Sequence, residues 1–301
     1  DNREQIRTLA SELMRPADTA QEWQTISERL TIKAEDISIR RYDCANPQEE
    51  ALVIALALRE TLDEENAEGK KEKTAALVTP DRRLARRVAM ACRRWGIEID
   101  DSGGQPLAQT KVGMYLRLCM EAVCADMKPV ALLNFTKHAL CLPETYNDWR
   151  GAVRTLDMSV FRGPTFEGGF SSYEKKLVEL EARERPTKHL KHTLSFLERA
   201  FAPLLKLAEK GKALPFGDWC AAHLRVAEIF CGADILWSGQ DGDSASTFFS
   251  DLSDQGDLLP HVTAAEYLAL LERTMAGISV RPAFGLHPRL FILGPLEARL
   301  Q

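Results

Sequence analysis

Four apolar residues run together at Ala75-Ala76-Leu77-Val78, and Thr79-Pro80-Asp81 interrupts them. Apolar positions then return at Leu84, Val88, Cys92 and Trp95, ahead of Gly96. A short continuous apolar run predicts a buried strand, and recurrence with a period near 3.6 predicts an amphipathic helix. Asp81 is placed to cap that helix and to favour its dipole, and Gly96 to end it. Ile97 to Ile99 reads as a second short strand, and Asp101-Ser102-Gly103-Gly104 as a turn. Together these make a strand–helix–strand unit of a parallel α/β domain.

Upstream, Ile6, Leu9 and Leu13, then Trp23, Ile26 and Leu30, predict a helical lead-in over residues 1–35. Ile37 to Tyr42 alternates like a strand. Asn46 as cap, Pro47 at the first helical position and Glu49 as capping-box partner start a helix that runs to about Leu62. Its stretch Ala51 to Leu58 is apolar nearly all round, which predicts deep burial. Glu64 to Lys73 reads as a charged, solvated loop.

Downstream, a helix from about Thr110 directs Met114, Leu118 and Val123 towards a core. Helical patterns then dominate from Pro129 to about Gly277, with breaks that include Pro143, Gly168-Gly169, Pro186, Pro215 and Gly239 to Gly242. A helix over Thr187 to Lys210 carries Leu190, Leu194, Leu197, Phe201 and Leu205, with Pro203 set to kink or split it. Thr263 and Glu266 form a capping box opening a last helix, and Arg289 to Gly294 reads as a buried strand. The expected order is a lead-in (1–35), an α/β part (36–126), an all-α insertion (127–277) and a return to α/β (278–301).

The 301 residues hold seven cysteines, scattered and without a Cys-x-x-Cys pair, which predicts reduced cytoplasmic thiols rather than a disulfide frame or zinc site. No stretch is apolar enough to predict a membrane span. The formal net charge of −5 argues against a small dedicated DNA-binding domain, although local patches govern phosphate contact. The chain opens on Asp1 and stops soon after its last strand, so we expect a segment of a longer polypeptide.

Candidate chemistry is sparse. Arg82, Arg83, Arg86, Arg87, Arg93 and Arg94 crowd one helix, and guanidinium groups suit phosphate, but a solvated helix face fits the same pattern. A second basic cluster, from Lys175 to His192, is interleaved with Glu174, Glu179, Glu181 and Glu184, so ion pairing along the helices accounts for it. Gly103-Gly104 and Gly168-Gly169 lack the Lys-Ser/Thr of a phosphate-cradling loop and read as turns. His189 and His192 have no clear third metal ligand. Asp241 and Asp243, around Gly242, lack the rest of a calcium loop, so Gln240 to Ser244 reads as a solvent loop. We find no catalytic constellation, no metal site and no cofactor site.

The order of elements carries a likeness. Pro47-x-Glu-Glu on one helix, Leu77-Val-Thr-Pro-Asp-Arg82, Trp95-Gly-Ile-Glu-Ile-Asp-Asp-Ser-Gly-Gly104 and Tyr115-Leu-Arg-Leu118 resemble the second RecA-like domain of UvrD/RecB-type helicases. More closely they resemble the AddB-type subunits of alphaproteobacterial AddAB helicase–nucleases, and His287 to Leu300 matches the same family. The likeness covers about residues 36–126 and 278–301. The helical middle falls where these helicases insert an accessory subdomain. Leu290 to Arg299 falls where active helicases carry Thr-x-His-x-x-Lys-Gly-Leu-Glu, but Gly294-Pro295 stands in its Thr/His region and the Lys-Gly pair is missing.

The resemblance implies a partial RecA-like parallel sheet with a large all-α insertion, in an inactivated helicase. It implies a cytoplasmic, non-catalytic segment that acts as a DNA-path scaffold in double-strand-break repair, without membrane contact. An AddA-like motor subunit would be its partner and single-stranded or forked DNA its ligand. Thr79, Arg82, Arg83, Arg86 and Arg87 are the expected DNA contacts, at and beyond the carboxyl edge of a parallel strand. Gly294, Glu297 and Arg299 form the degenerate coupling motif, with a structural role expected. Two other readings compete: a docking segment for the motor subunit without DNA contact, and a nucleotide-hydrolysing enzyme, which the missing phosphate loop disfavours.

Overall fold

The computed structural model describes residues 2–13, 16–26, 40–63, 73–162, 168–209, 211–255, 258–281 and 287–300. The chain divides into two compact units, Asp1–Ile54 and Ala55–Gln301.

The first unit contains helix α1 (Asn2–Leu13), a 3-10 segment (Ala17–Thr25) and the start of α2 (Pro47–Asp63). Most of the strand expected over Ile37 to Tyr42 lies outside the described residues. The start of α2 is as the sequence predicts. The Asn46 side chain accepts from the backbone N–H groups of Gln48 and Glu49 at 3.0 and 2.9 Å, and Glu49 reaches back to the Ala45 N–H at 2.8 Å. The expected deep burial of α2 does not hold. Ala51, Ala55 and Leu58 are buried on one stripe, while Leu52 and Leu56 are 40% and 48% exposed.

The second unit joins a small parallel sheet to a helical body. Strand β1 (Ala75–Val78) leads into α3 (Arg82–Arg93), which is followed by β2 (Asp100–Asp101) and β3 (Gln105–Pro106). The expected strand at Ile97 to Ile99 is displaced to Asp100–Asp101, with Ile99 buried just before it. The helices that follow are α4 (Lys111–Cys124), α5 (Pro129–Thr136), α6 (Trp149–Leu156), α7 (Phe170–Ala182), α8 (Lys188–Ala208), α9 (Phe216–Cys231), α10 (Ala233–Leu236), α11 (Gly239–Asp254) and α12 (Ala264–Gly277). Strands β4 (Ser279–Val280) and β5 (Leu290–Leu293) close the chain.

The sheet has the order β1–β5–β2, all parallel, so the last strand enters between the first two. Ala75 pairs with Leu290 and Val78 with Leu293, while Asp100 pairs with Phe291. Leu290 and Ile292 are fully buried, as an apolar central strand requires. The Arg289 guanidinium braces the entry to β5 by donating to the carbonyls of Lys73 and Thr61 at 3.0 and 2.7 Å.

The two passages between sheet and helical body run side by side. β3 pairs antiparallel with β4, Gln105 opposite Val280 and Pro106 opposite Ser279, and the Leu107 N–H donates to the Ile278 carbonyl at 2.8 Å. The continuous apolar core of the helical body begins at Leu107 and ends at Val280. Residues 107–126 therefore belong with the helices rather than with the α/β part. Within α4 the buried face holds Tyr115, Leu116, Cys119 and Met120, and Met114, expected inward, is 39% exposed.

Aromatic side chains fill this core. Phe135 packs against Tyr115, Phe201 and Phe230 with ring centroids 5.1–5.4 Å apart. Their polar atoms find partners, as burial demands: the Tyr115 hydroxyl donates to the Ala227 carbonyl at 2.7 Å, Trp149 Nε1 to Thr136 at 3.1 Å and Trp219 Nε1 to Val262 at 2.9 Å. Pro203 lies within α8 without splitting it, because fully buried Leu197, Phe201 and Leu204 hold both halves to the core. Gly239 to Gly242, expected as a break and a solvent loop, form the first turn of α11, and the Asp241 carboxylate there accepts from the Val112 N–H at 3.3 Å. The capping box of α12 is complete in both directions.

Candidate functional site

The carboxyl edge of the sheet collects the residues singled out by the sequence. β1 ends at Val78, and the Thr79 N–H extends the ladder by donating to the Leu293 carbonyl at 3.0 Å. The Thr79 side chain is buried, and its hydroxyl accepts from the Asp81 N–H at 3.0 Å. That turn aims Asp81 at the start of α3, where its carboxylate accepts from the Arg83 and Leu84 N–H groups at 2.7 and 3.3 Å. Those backbone hydrogen bonds hold its carboxyl below the usual range. Two free donors of the helix terminus are thereby used within the chain.

The arginines of α3 part company here. Arg82 turns across the sheet edge onto the Asp101 carboxylate at the end of β2, and also donates to the Gly104 carbonyl at 3.3 Å. A Cβ at Gly103 would meet the Arg82 guanidinium, so a side chain there would make that guanidinium shift from its present place. Asp101 in turn accepts from the Gly103 N–H at 3.1 Å. Arg86 donates to the side-chain oxygen of Gln109. Arg83 and Arg87 are exposed and form no ion pair among the described residues, and Arg93 and Arg94 extend the exposed basic surface towards the end of the helix. On another side of the helix end, the Arg59 guanidinium lies 5.1 Å above the Trp95 ring.

At the end of β5, Gly294 turns the chain into a 3-10 segment (Glu297–Leu300). The Ala298 N–H donates to the Gly294 carbonyl at 3.0 Å, the Arg299 N–H donates to Leu296 at 3.2 Å, and the Glu297 carboxylate lies against Gly294. No sequence pattern marks Asp101 as the partner of Arg82, because nineteen positions separate them. Nor does any local signal mark Ser102, whose hydroxyl is buried on this edge with no hydrogen-bond partner among the described residues.

Chemically, the edge holds guanidinium groups, capping carboxylates and spent backbone donors. It is suited to binding an anion along the outer face of α3 through Arg83 and Arg87. Among the described residues no group of three His, Cys, Asp or Glu side chains could hold a metal ion, and no helix is long and apolar enough to cross a membrane. All seven cysteines are free. No protein family matches this chain, and no characterised protein is detectably similar to it.

Proposed function

We propose that the chain is a non-catalytic, helicase-like segment that lines a DNA path, with its parallel sheet forming part of a RecA-like domain and its helical body an accessory insertion. The parent would be an AddB-like subunit of a double-strand-break repair helicase–nuclease, working beside an AddA-like motor. The observation that supports this most directly is the exposed Arg83–Arg87 pair on α3, beside the carboxyl edge of the sheet, with neither guanidinium in an ion pair among the described residues. Arg82 and Arg86, engaged with Asp101 and Gln109, serve to hold the helix in place. Thr79, Gly294, Glu297 and Arg299 shape the edge in this reading.

The test is anisotropy of a labelled forked DNA with the purified chain at low and moderate salt. Arg83→Glu with Arg87→Glu is expected to weaken binding and to lower the salt dependence by about 2 on a log–log plot, close to one for each phosphate no longer neutralised. Unchanged affinity would sink the assignment. It would leave the docking reading, for which the exposed Leu52 and Leu56 of α2 are the supporting observation, and co-purification with the motor subunit without DNA would test that.

A further inference from the structure

A second surface, on the helical body, combines an aromatic groove with a row of basic residues that form no ion pair among the described residues. The groove, about 440 Å³, is lined by Tyr146, His192, Phe196, Arg199 and Ile229, among others. Its rings are fixed in place. Tyr146 packs 5.0 Å from Phe196 and 5.6 Å from His192, centroid to centroid, and the buried Trp149 lies behind both, 5.2 Å from Tyr146 and 5.9 Å from Phe196. Phe196 also packs on Phe230 at 5.5 Å. The Tyr146 hydroxyl is buried yet has no hydrogen-bond partner among the described residues.

The charge on α8 is sorted by face. Lys188, His192, Arg199 and Lys206 recur at spacings of four, seven and seven, which places them on one stripe of the helix with Phe196 among them. All four are exposed, and none forms an ion pair among the described residues. Glu198 lies off the stripe and lines other grooves. Of the basic cluster that the sequence pattern assigned to ion pairs, Lys176 meets Glu179 at 2.8 Å and Lys191 meets Glu181 at 2.5 Å, whereas Lys188 and His192 of the same cluster form none among the described residues. From Lys188 to Lys206 the stripe runs about 27 Å along the helix axis.

We propose that this groove and stripe bind single-stranded nucleic acid, with a base stacked in the Tyr146–Phe196 groove and its neighbouring phosphates along Lys188, Arg199 and Lys206. Braced aromatic rings beside a cationic track suit unpaired bases, whose π faces are free, and do not suit a closed duplex, whose bases are stacked on one another. A docked protein helix would match the apolar floor but would leave three uncompensated cations facing it.

The experiment uses the whole chain, a labelled oligothymidylate, the matching duplex, and a bromodeoxyuridine version for photocrosslinking. Lys188→Glu, Arg199→Glu and Lys206→Glu together are expected to weaken single-strand binding about tenfold or more and to cut the salt dependence by about 2. Tyr146→Leu is expected to weaken it as well, while Tyr146→Phe, which keeps the ring, retains most of the affinity. Circular dichroism identifies any variant that fails to fold. Crosslinks are expected on peptides containing Tyr146 or Phe196. Crosslinks confined to α3, duplex bound as tightly as single strand with Tyr146→Leu silent, or no binding at low salt would each overturn the proposal. Crosslinks confined to α3 would still support the sheet-edge reading, so the two assignments fail separately.

Discussion

Arg82 closes the carboxyl edge of the sheet by pairing with Asp101, joining the first turn of α3 to the end of β2. The two side chains are 37% and 21% exposed, so solvent screens part of their attraction. A double-mutant cycle with Arg82→Ala and Asp101→Ala should give a coupling of about 1 kcal/mol in denaturant unfolding. Arg82→Ala should also leave DNA affinity less changed than Arg83→Glu does. A coupling of zero would mean the pair does not hold the edge.

His223 should make the protein sensitive to acid. It is fully buried between α4 and α12, with Nε2 donating to the Leu116 carbonyl at 2.9 Å and Nδ1 accepting from the Tyr267 hydroxyl at 3.1 Å. Burial pushes its pKa from 6.5 down to about 4. The unfolded chain therefore takes up a proton that the folded chain refuses. The stabilisation is fully present above pH 6.5, declines as pH falls from 6.5 to 4, and levels off below, a loss of about 3 kcal/mol. Unfolding free energies measured across that range should fall with acidity, and His223→Gln should flatten the slope. An equal slope in the variant would assign the acid sensitivity to other groups.

Thr263 caps α12 in a reciprocal arrangement, its hydroxyl receiving the Glu266 N–H at 3.4 Å while Glu266 receives the Thr263 N–H at 2.8 Å. Thr263→Ala should cost about 1 kcal/mol in chemical denaturation, and Thr263→Ser almost nothing. Equal losses in both variants would place the effect in packing rather than capping.

Gly104 sits at a backbone φ of +64°, and a Cβ there would stand 2.6 Å from the Val280 carbonyl oxygen. Gly104→Ala should therefore destabilise by about 1–3 kcal/mol. It should also speed hydrogen exchange at the Leu107 amide, whose bond to Ile278 lies beside the strain. Unchanged exchange at Leu107 would show that the β3–β4 pairing tolerates the methyl group.

What the sequence reveals depends on how local each signal is. β1, the Asp81 and Thr263 caps and the apolar β5 are written in neighbouring residues, and the structure has them where the pattern puts them, although β1 is not the buried strand expected, since it lies at the edge of the sheet and Val78 is 51% exposed. β2 lies away from its expected place because its own residues, Asp100 and Asp101, are poor strand formers, and pairing with Phe291 and Ile292 makes them a strand. Gly239 to Gly242 read as a loop from glycine content, yet Asp241 is tied to Val112, far away in sequence. α2 is less buried than its pattern predicts because periodicity reports what a helix could bury, and its neighbours decide what it does bury. At the site, a helix of arginines is legible as a basic face. Which of them bind within the chain is not, since Asp101 and Gln109 come from other elements.

The β3–β4 ribbon gives the fold a modular character. Both crossings into the helical body leave through one doorway, Gln105 opposite Val280 and Pro106 opposite Ser279. Whatever is threaded between them can lengthen, shorten or diverge while the spacing at the doorway stays the same. β1, β5 and β2 then keep their register without any knowledge of the intervening cargo. A lineage could remodel the helices for new ligands while inheriting the sheet unaltered, and a short hairpin turn grafted across the doorway would be the natural way to ask what the sheet does alone.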